Sequence, residues 1–148
     1  MKKSLILILS ILITSCSSDD DNSESDPIYG CTDEKSLTFD SMADTDDDSC
    51  IYSDLTLYAR YNFFQNIPIT NIDISIDGEY IGNIANGFIW PNGPGNCSST
   101  GTVQYQFQNS ESIDWNATIF LANGQTISSS GTKSPNRSIE CIKISVTN

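Results

Sequence analysis

Histidine is absent from all 148 residues, lysine and arginine together number seven against nineteen acids, and apolar runs are short. Each absence removes a class of function. Without imidazole there is no ordinary general base for a serine or cysteine nucleophile, and no nitrogen ligand for zinc. A formal net charge of −12 leaves no basic surface for the phosphates of nucleic acid, so that partner is excluded. The main apolar stretch, Leu5 to Ile13, is too short for a transmembrane helix, which needs about 20 residues. Helical periodicity is nearly missing too, and alternation of period two takes its place. An enzyme would have to work with carboxylates alone, as a glycosidase-style pair among Asp73, Asp77, Glu111 and Asp114. A small domain that spends its apolar side chains on a core rarely encloses a cleft for such a pair, so no catalytic residue is expected.

What is present begins with "MKKSLILILSILITSC", two lysines followed by an apolar core and small residues. Residues 1–15 read as an export signal. Ile13, Thr14 and Ser15 before Cys16 resemble the lipobox of bacterial lipoproteins, which implies that Cys16 is lipidated and becomes the mature N-terminus. Residues 16–29 are mostly polar and acidic and read as a tether with too little apolar surface to offset chain entropy. Asp19 to Asp21 resemble the surface-export signal of Bacteroidetes-type lipoproteins, which implies a lipid-anchored, surface-exposed location on the outer membrane.

With Cys16 set aside, Cys31, Cys50, Cys97 and Cys141 suffice for two disulfides in an oxidising compartment. Three pairings are open; Cys31–Cys50 with Cys97–Cys141 is favoured because each pair then lies within one compositional block. Charge divides the same way. Residues 19–54 hold thirteen acids and one base, whereas residues 55–148 hold six acids and four bases. The expected order is therefore a signal (1–15), a tether (16–29), a disulfide-closed acidic module (30–52) and a β domain (53–148).

The module "GCTDEKSLTFDSMADTDDDSC" is the densest chemical signal. Its cysteines are too far apart for a C-x-x-C redox motif. An EF-hand fails because Ser49 occupies the glycine position and Leu55 the position of the bidentate glutamate. The stretch resembles a cysteine-bounded module, C-T-D-P-x-A-x-N-Y-N-P-x-A-x-x-D-D-G-S-C, of Bacteroidetes cell-surface proteins, matching it at Cys31, Thr32, Asp33, Ala43, Asp46, Asp47, Ser49 and Cys50. It departs from that pattern with Glu34 and Ser41 at the proline positions and Asp48 at the glycine; Asp tolerates the left-handed backbone better than most residues. The resemblance implies a spacer or adhesin element. A ring closed by the disulfide would hold Leu37, Phe39, Met42 and Ala43 as a miniature core. Its acids have two readings, a solvated rim or a calcium site formed by Asp33, Asp44, Asp46 and Asp48. Mutual repulsion among the carboxylates argues for the cation.

Beyond it, alternation marks strands near 55–60, 72–77, 79–84, 103–108, 113–121, 125–132 and 139–146, with hairpin turns at Asp77-Gly78 and Asn123-Gly124. The register after Asp77-Gly78 is open: Ile74 faces Ile81 across a two-residue turn and Tyr80 across a three-residue loop. Six or seven strands, each with one apolar face, predict an all-β, disulfide-stapled sandwich. The segment "PITNIDISIDGEYIGNI" resembles PEGA-like and carboxypeptidase-regulatory-like modules, which implies an Ig-like or transthyretin-like plan.

Phe88 and Trp90, in a Pro/Gly-rich loop, are the candidate binding residues, with Trp90 either an exposed platform or tucked against the end of the sandwich. Asp40-Ser41-Met42 resembles the Bacteroidetes O-glycan acceptor, which makes Ser41 a candidate glycosylation site. Together these features predict a non-enzymatic envelope lipoprotein that binds or adheres to an unidentified protein or glycan. The alternatives are a self-associating fibre subunit and a calcium-stabilised spacer.

Overall fold

The computed structural model describes residues 25–147. The export signal, Cys16 and most of the tether lie outside the described residues. Among the described residues there are ten strands and no helix. They are β1 (Tyr29–Gly30), β2 (Thr45–Asp46), β3 (Asp54–Tyr58), β4 (Phe63–Phe64), β5 (Ile67–Ile76), β6 (Glu79–Ala85), β7 (Val103–Gln106), β8 (Ile113–Leu121), β9 (Thr126–Lys133) and β10 (Cys141–Ser145).

Two sheets pack face to face. In one, β3 is central, parallel to β10 and antiparallel to β7. In the other, β5 pairs with β6 on one side and β8 on the other, β8 pairs in turn with β9, and the two-residue β4 caps the start of β5. All seven expected strands are present; besides the short β1 and β2 of the acidic module, β4 and the extension of β5 back to Ile67 are additions within the sandwich, and it is these last two that a turn explains. They arise from a tight turn in which Gln65 and Asn66 both adopt positive φ (48° and 66°), geometry that carries no glycine signal in the sequence.

The core follows the period-two pattern. Ile72, Ile74 and Ile76 of β5 and Ile113, Trp115, Ala117, Ile119 and Leu121 of β8 face Leu55, Leu57, Val103 and Ile142 of the other sheet. The turn Asp77-Gly78 has two residues with positive φ (51° and 84°) and sets Ile76 opposite Glu79 and Ser75 opposite Tyr80. A bulge then places Ile74 opposite Gly82, so neither of the two simple registers holds and Ile81 is the extra residue.

The small sheet departs from simple alternation. Thr56 and Tyr58 are buried along with Leu55 and Leu57, because the loop between β6 and β7 crosses the outer face of β3. The Cys97–Cys141 disulfide ties that loop to β10, the Thr56 hydroxyl donates to Cys97 O at 2.8 Å, and Gly93 lies against the Tyr58 ring. A central strand covered on both faces buries its polar side chains, provided each finds a partner.

Candidate binding surface

The acidic module is a disulfide ring closed by Cys31–Cys50, with a Cα–Cα distance of 4.9 Å. Its two ends are joined by the parallel pair β1 and β2 and by a bridge between Cys31 and Phe39. The centre of the ring is polar. Ser36 is fully buried; its Oγ donates to Ile51 O at 2.8 Å and accepts from the N–H groups of Thr38 and Ile51. Met42, expected in a miniature apolar core, is instead 69% exposed, while Leu37, Phe39 and Ala43 are half-buried. The correction has a geometric cause: chain reversals crowd backbone donors and acceptors into the ring, and a hydroxyl satisfies them where a thioether cannot.

The carboxylates are placed separately. Asp33 accepts from Lys35 N at 2.9 Å and from the Tyr52 hydroxyl at 2.8 Å. Asp44 accepts from Ile28 N and from Thr45 Oγ1. Asp46 accepts from Asp48 N and from Thr32 Oγ1. Asp47 accepts from Ser49 N, and Asp40 from Met42 N. Asp48 occupies the left-handed region, φ 62°, which Asp tolerates better than most residues. Most of these acids are therefore turn acceptors that hold the backbone of the ring. Among the described residues, no three acidic or cysteine side chains gather into a group that could hold a metal ion. Of the four acids expected to form a calcium site, Asp33, Asp44 and Asp46 accept from backbone and hydroxyl donors, while Asp48 is exposed.

Hydrogen bonds from Lys35 N–H and Tyr52 hydroxyl hold the Asp33 carboxyl below the usual range. Burial and the neighbouring Asp33 carboxylate push the Tyr52 phenol up to about 12. This pair also docks the ring, because Tyr52 belongs to the sandwich core. Two further contacts join ring to sandwich: Lys35 Nζ donates to Ser110 O at 2.8 Å, and Arg137 stacks on Phe39 at 5.3 Å from the ring centroid.

These contacts lie beyond the starts of β3 and β10. Past the other ends of these strands the surface is apolar. Tyr61, Phe88 and Ile89 border one shallow depression, and Phe63 with Phe64, Ile127 and Val146 lines an adjoining groove of about 180 Å³. Tyr61 and Phe63 are 50% and 53% exposed, and Phe88 and Ile89 are exposed as well. Phe88 lies across Gly101, where a Cβ would collide with the Phe88 side chain; Gly101 has φ +76° besides. Trp90 differs from the platform reading. Its backbone N–H donates to Ala59 O at 2.8 Å, its side chain is half-buried, and Nε1 is buried without a partner, so the exposed ring of this loop is Phe88. Motif reading does not single out Tyr61 and Phe63; the run "YNFF" directly after an apolar strand is the signal that could have found them.

Ser41 sits in an exposed turn with Met42 N bonded to Asp40, which leaves its hydroxyl accessible. The four carboxylates weighed as a hydrolytic pair have structural partners or lie free at the surface. Asp77 accepts from Asp114 N, Asp114 accepts from Thr132 Oγ1 at 2.6 Å, Asp73 accepts from Asn71 Nδ2, and Glu111 is exposed in a loop. Asp114 borders an open polar bowl on the outer face of the large sheet, with Ser75, Asn116 and Ser130. Comparisons with protein-family models, curated proteins and solved structures returned no match, so the local geometry of this all-β, two-disulfide sandwich carries the functional argument.

Proposed function

We propose that this chain is a non-enzymatic cell-envelope lipoprotein, anchored through Cys16 and displayed on the outer membrane, whose sandwich is a binding or adhesion module for a protein or glycan. One observation carries the reading: exposed Tyr61, Phe63, Phe88 and Ile89 cluster at the end of the sandwich opposite the ring to which the tether leads. An anchored chain of this shape presents its apolar aromatic end away from the membrane. Aromatic side chains supply large contact area at low entropic cost and stack on sugar rings or fill protein pockets. The Gln65-Asn66 turn fits the same reading. Two non-glycine residues at positive φ are an uncommon geometry, and here they hold Phe63 outward.

The test is binding of cells that display the protein to immobilised glycans and extracellular-matrix proteins. Phe63→Ala combined with Phe88→Ala is expected to weaken attachment at least tenfold while surface display and the thermal transition stay unchanged. Unchanged attachment by that double variant rejects the aromatic end as the binding surface.

A further inference from the structure

The outer edge of β9 is free. Leu121 N bonds to Gln125 O across the β8–β9 hairpin, and the ladder then runs unbroken from Phe120 opposite Thr126 to Ile113 opposite Lys133. Antiparallel alternation directs the backbone of Ile127, Ser129, Gly131 and Lys133 toward β8. The N–H and C=O groups of Thr126, Ser128, Ser130 and Thr132 therefore point away from the sheet, and none takes another partner among the described residues. All four residues are exposed. Other sheet edges are short or interrupted: β4, β7 and β10 span two, four and five residues, and β6 carries the bulge. Proline, bulges and charges are the devices by which sheets ordinarily block edge pairing. The eight residues of β9 have no proline or bulge and one charge, Lys133 at the end.

We infer that β9 pairs antiparallel with β9 of a second copy of this chain, across a two-fold axis through Ser129. The sequence "TISSSGTK" is self-complementary in that register. Thr126 faces the partner's Thr132 and Ser128 faces the partner's Ser130, so the free backbone groups of all four residues on each chain are satisfied. Those four residues share the polar outer face, where hydroxyls meet hydroxyls. On the inner face Ile127 meets the partner's Gly131, whose Cβ position is already covered by the Trp115 indole of that same copy, so Ile127 packs against the edge of an indole, and Ser129 meets its own copy. Lys133 falls opposite the partner's Gln125, and no acid lies between Gln125 and Lys133, so the chain's negative charge does not face itself. Such a contact is isologous and closes at two, giving a discrete dimer in place of a fibre. Ser128 and Ser129 also line the groove beside Phe63 and Phe64, so the dimer axis lies next to the aromatic end.

Two kinds of substitution test this in the full-length protein purified in detergent. Ser129 would be a non-hydrogen-bonded pair with itself, with Cα atoms about 4.5 Å apart. Ser129→Cys is expected to give a disulfide-linked dimer on a non-reducing gel, whereas Thr126→Cys, about 20 Å from its own copy by strand rise, is expected to stay monomeric on that gel. Ser130→Pro removes an N–H that points outward, so pairing with β8 survives while pairing with a second copy does not. Sedimentation equilibrium should show twice the chain mass for the native protein and the single mass for Ser130→Pro, with unchanged circular dichroism. If that variant unfolds, Ser128→Pro gives the same comparison. A native protein that is monomeric, grows into open polymers or pairs instead with a different polypeptide overturns the inference; so does a dimer indifferent to Ser130→Pro, or equal cross-linking from Thr126→Cys and Ser129→Cys.

Discussion

Ser36 has no accessible surface and makes hydrogen bonds to both Ile51 N and Ile51 O, so one hydroxyl closes the acidic ring onto the start of the sandwich. Ser36→Ala removes this buried hydroxyl's hydrogen bonds to Ile51 O, Ile51 N and Thr38 N, although Ile51 N keeps Thr38 Oγ1 and Ile51 O keeps Leu37 N. A loss of about 1–3 kcal/mol is expected, measured by chemical denaturation. Asp33 and Tyr52 make the same joint depend on pH. The folded carboxyl of Asp33 lies below its ordinary 3.8, so its contribution is present above that pH and is lost as pH falls through the folded value. Tyr52 is shifted the other way, from 10.0 to about 12. Its contribution is complete below pH 10 and is lost as pH rises toward 12. Stability profiles of the native protein and Tyr52→Phe should converge at the alkaline end of that window and again at acid pH, once the pH has fallen through the lowered folded value of Asp33. A constant difference across the whole range would show that the hydroxyl is not titrating against Asp33.

At the level of elements, the loop between β6 and β7 has two duties. Its Cys97 end covers β3, and its Phe88 end forms the exposed aromatic surface. Cys97–Cys141 spans 44 positions, so replacing both cysteines by serine should cost about 4 kcal/mol in the chain-entropy account. The same variant should speed hydrogen exchange in β3 and β10. Gly101→Ala acts on the other end: its Cβ would collide with Phe88, and the residue must hold φ +76°. Loss of partner binding with a modest drop in thermal midpoint is expected, because the ring is displaced while the core strands are not. Loop and strand are not equally legible in the sequence. Strands 113–121 and 72–77 can be placed from their alternation because one face of each is buried. Burial of Thr56 and Tyr58 is invisible there, since it depends on a loop about 40 residues away crossing their face.

For the whole molecule, charge and shape separate along one axis. The acids crowd residues 19–54, and a cluster of exposed aromatic side chains lies at the far end, although Ile28, Tyr29, Met42 and Ile51 are exposed around the ring as well. Because the ring's carboxylates accept from turn donors and do not converge, millimolar Ca²⁺ should shift the thermal midpoint by less than a degree beyond the effect of Mg²⁺ at equal ionic strength. A specific shift of several degrees would restore calcium as the reason for the acids. Electrostatic repulsion is instead relieved by spacing the charges on the outside of successive turns, where solvent and salt screen them.

Local pattern was enough to settle the all-β class, the strands and both hairpins, because a period of two with turn residues at fixed points is a property of neighbours in sequence. It also favoured the disulfide pairing, since each pair closes within one block of composition. Three features came only from the folded chain: the centre of the ring is a serine, Phe88 and not Trp90 is the exposed ring of its loop, and β9 lies at an open edge. Each depends on which distant segments meet. Strand order and loop path are set by the packing of two sheets, and alternation along a strand is the same whether its neighbour is another strand, a crossing loop or water.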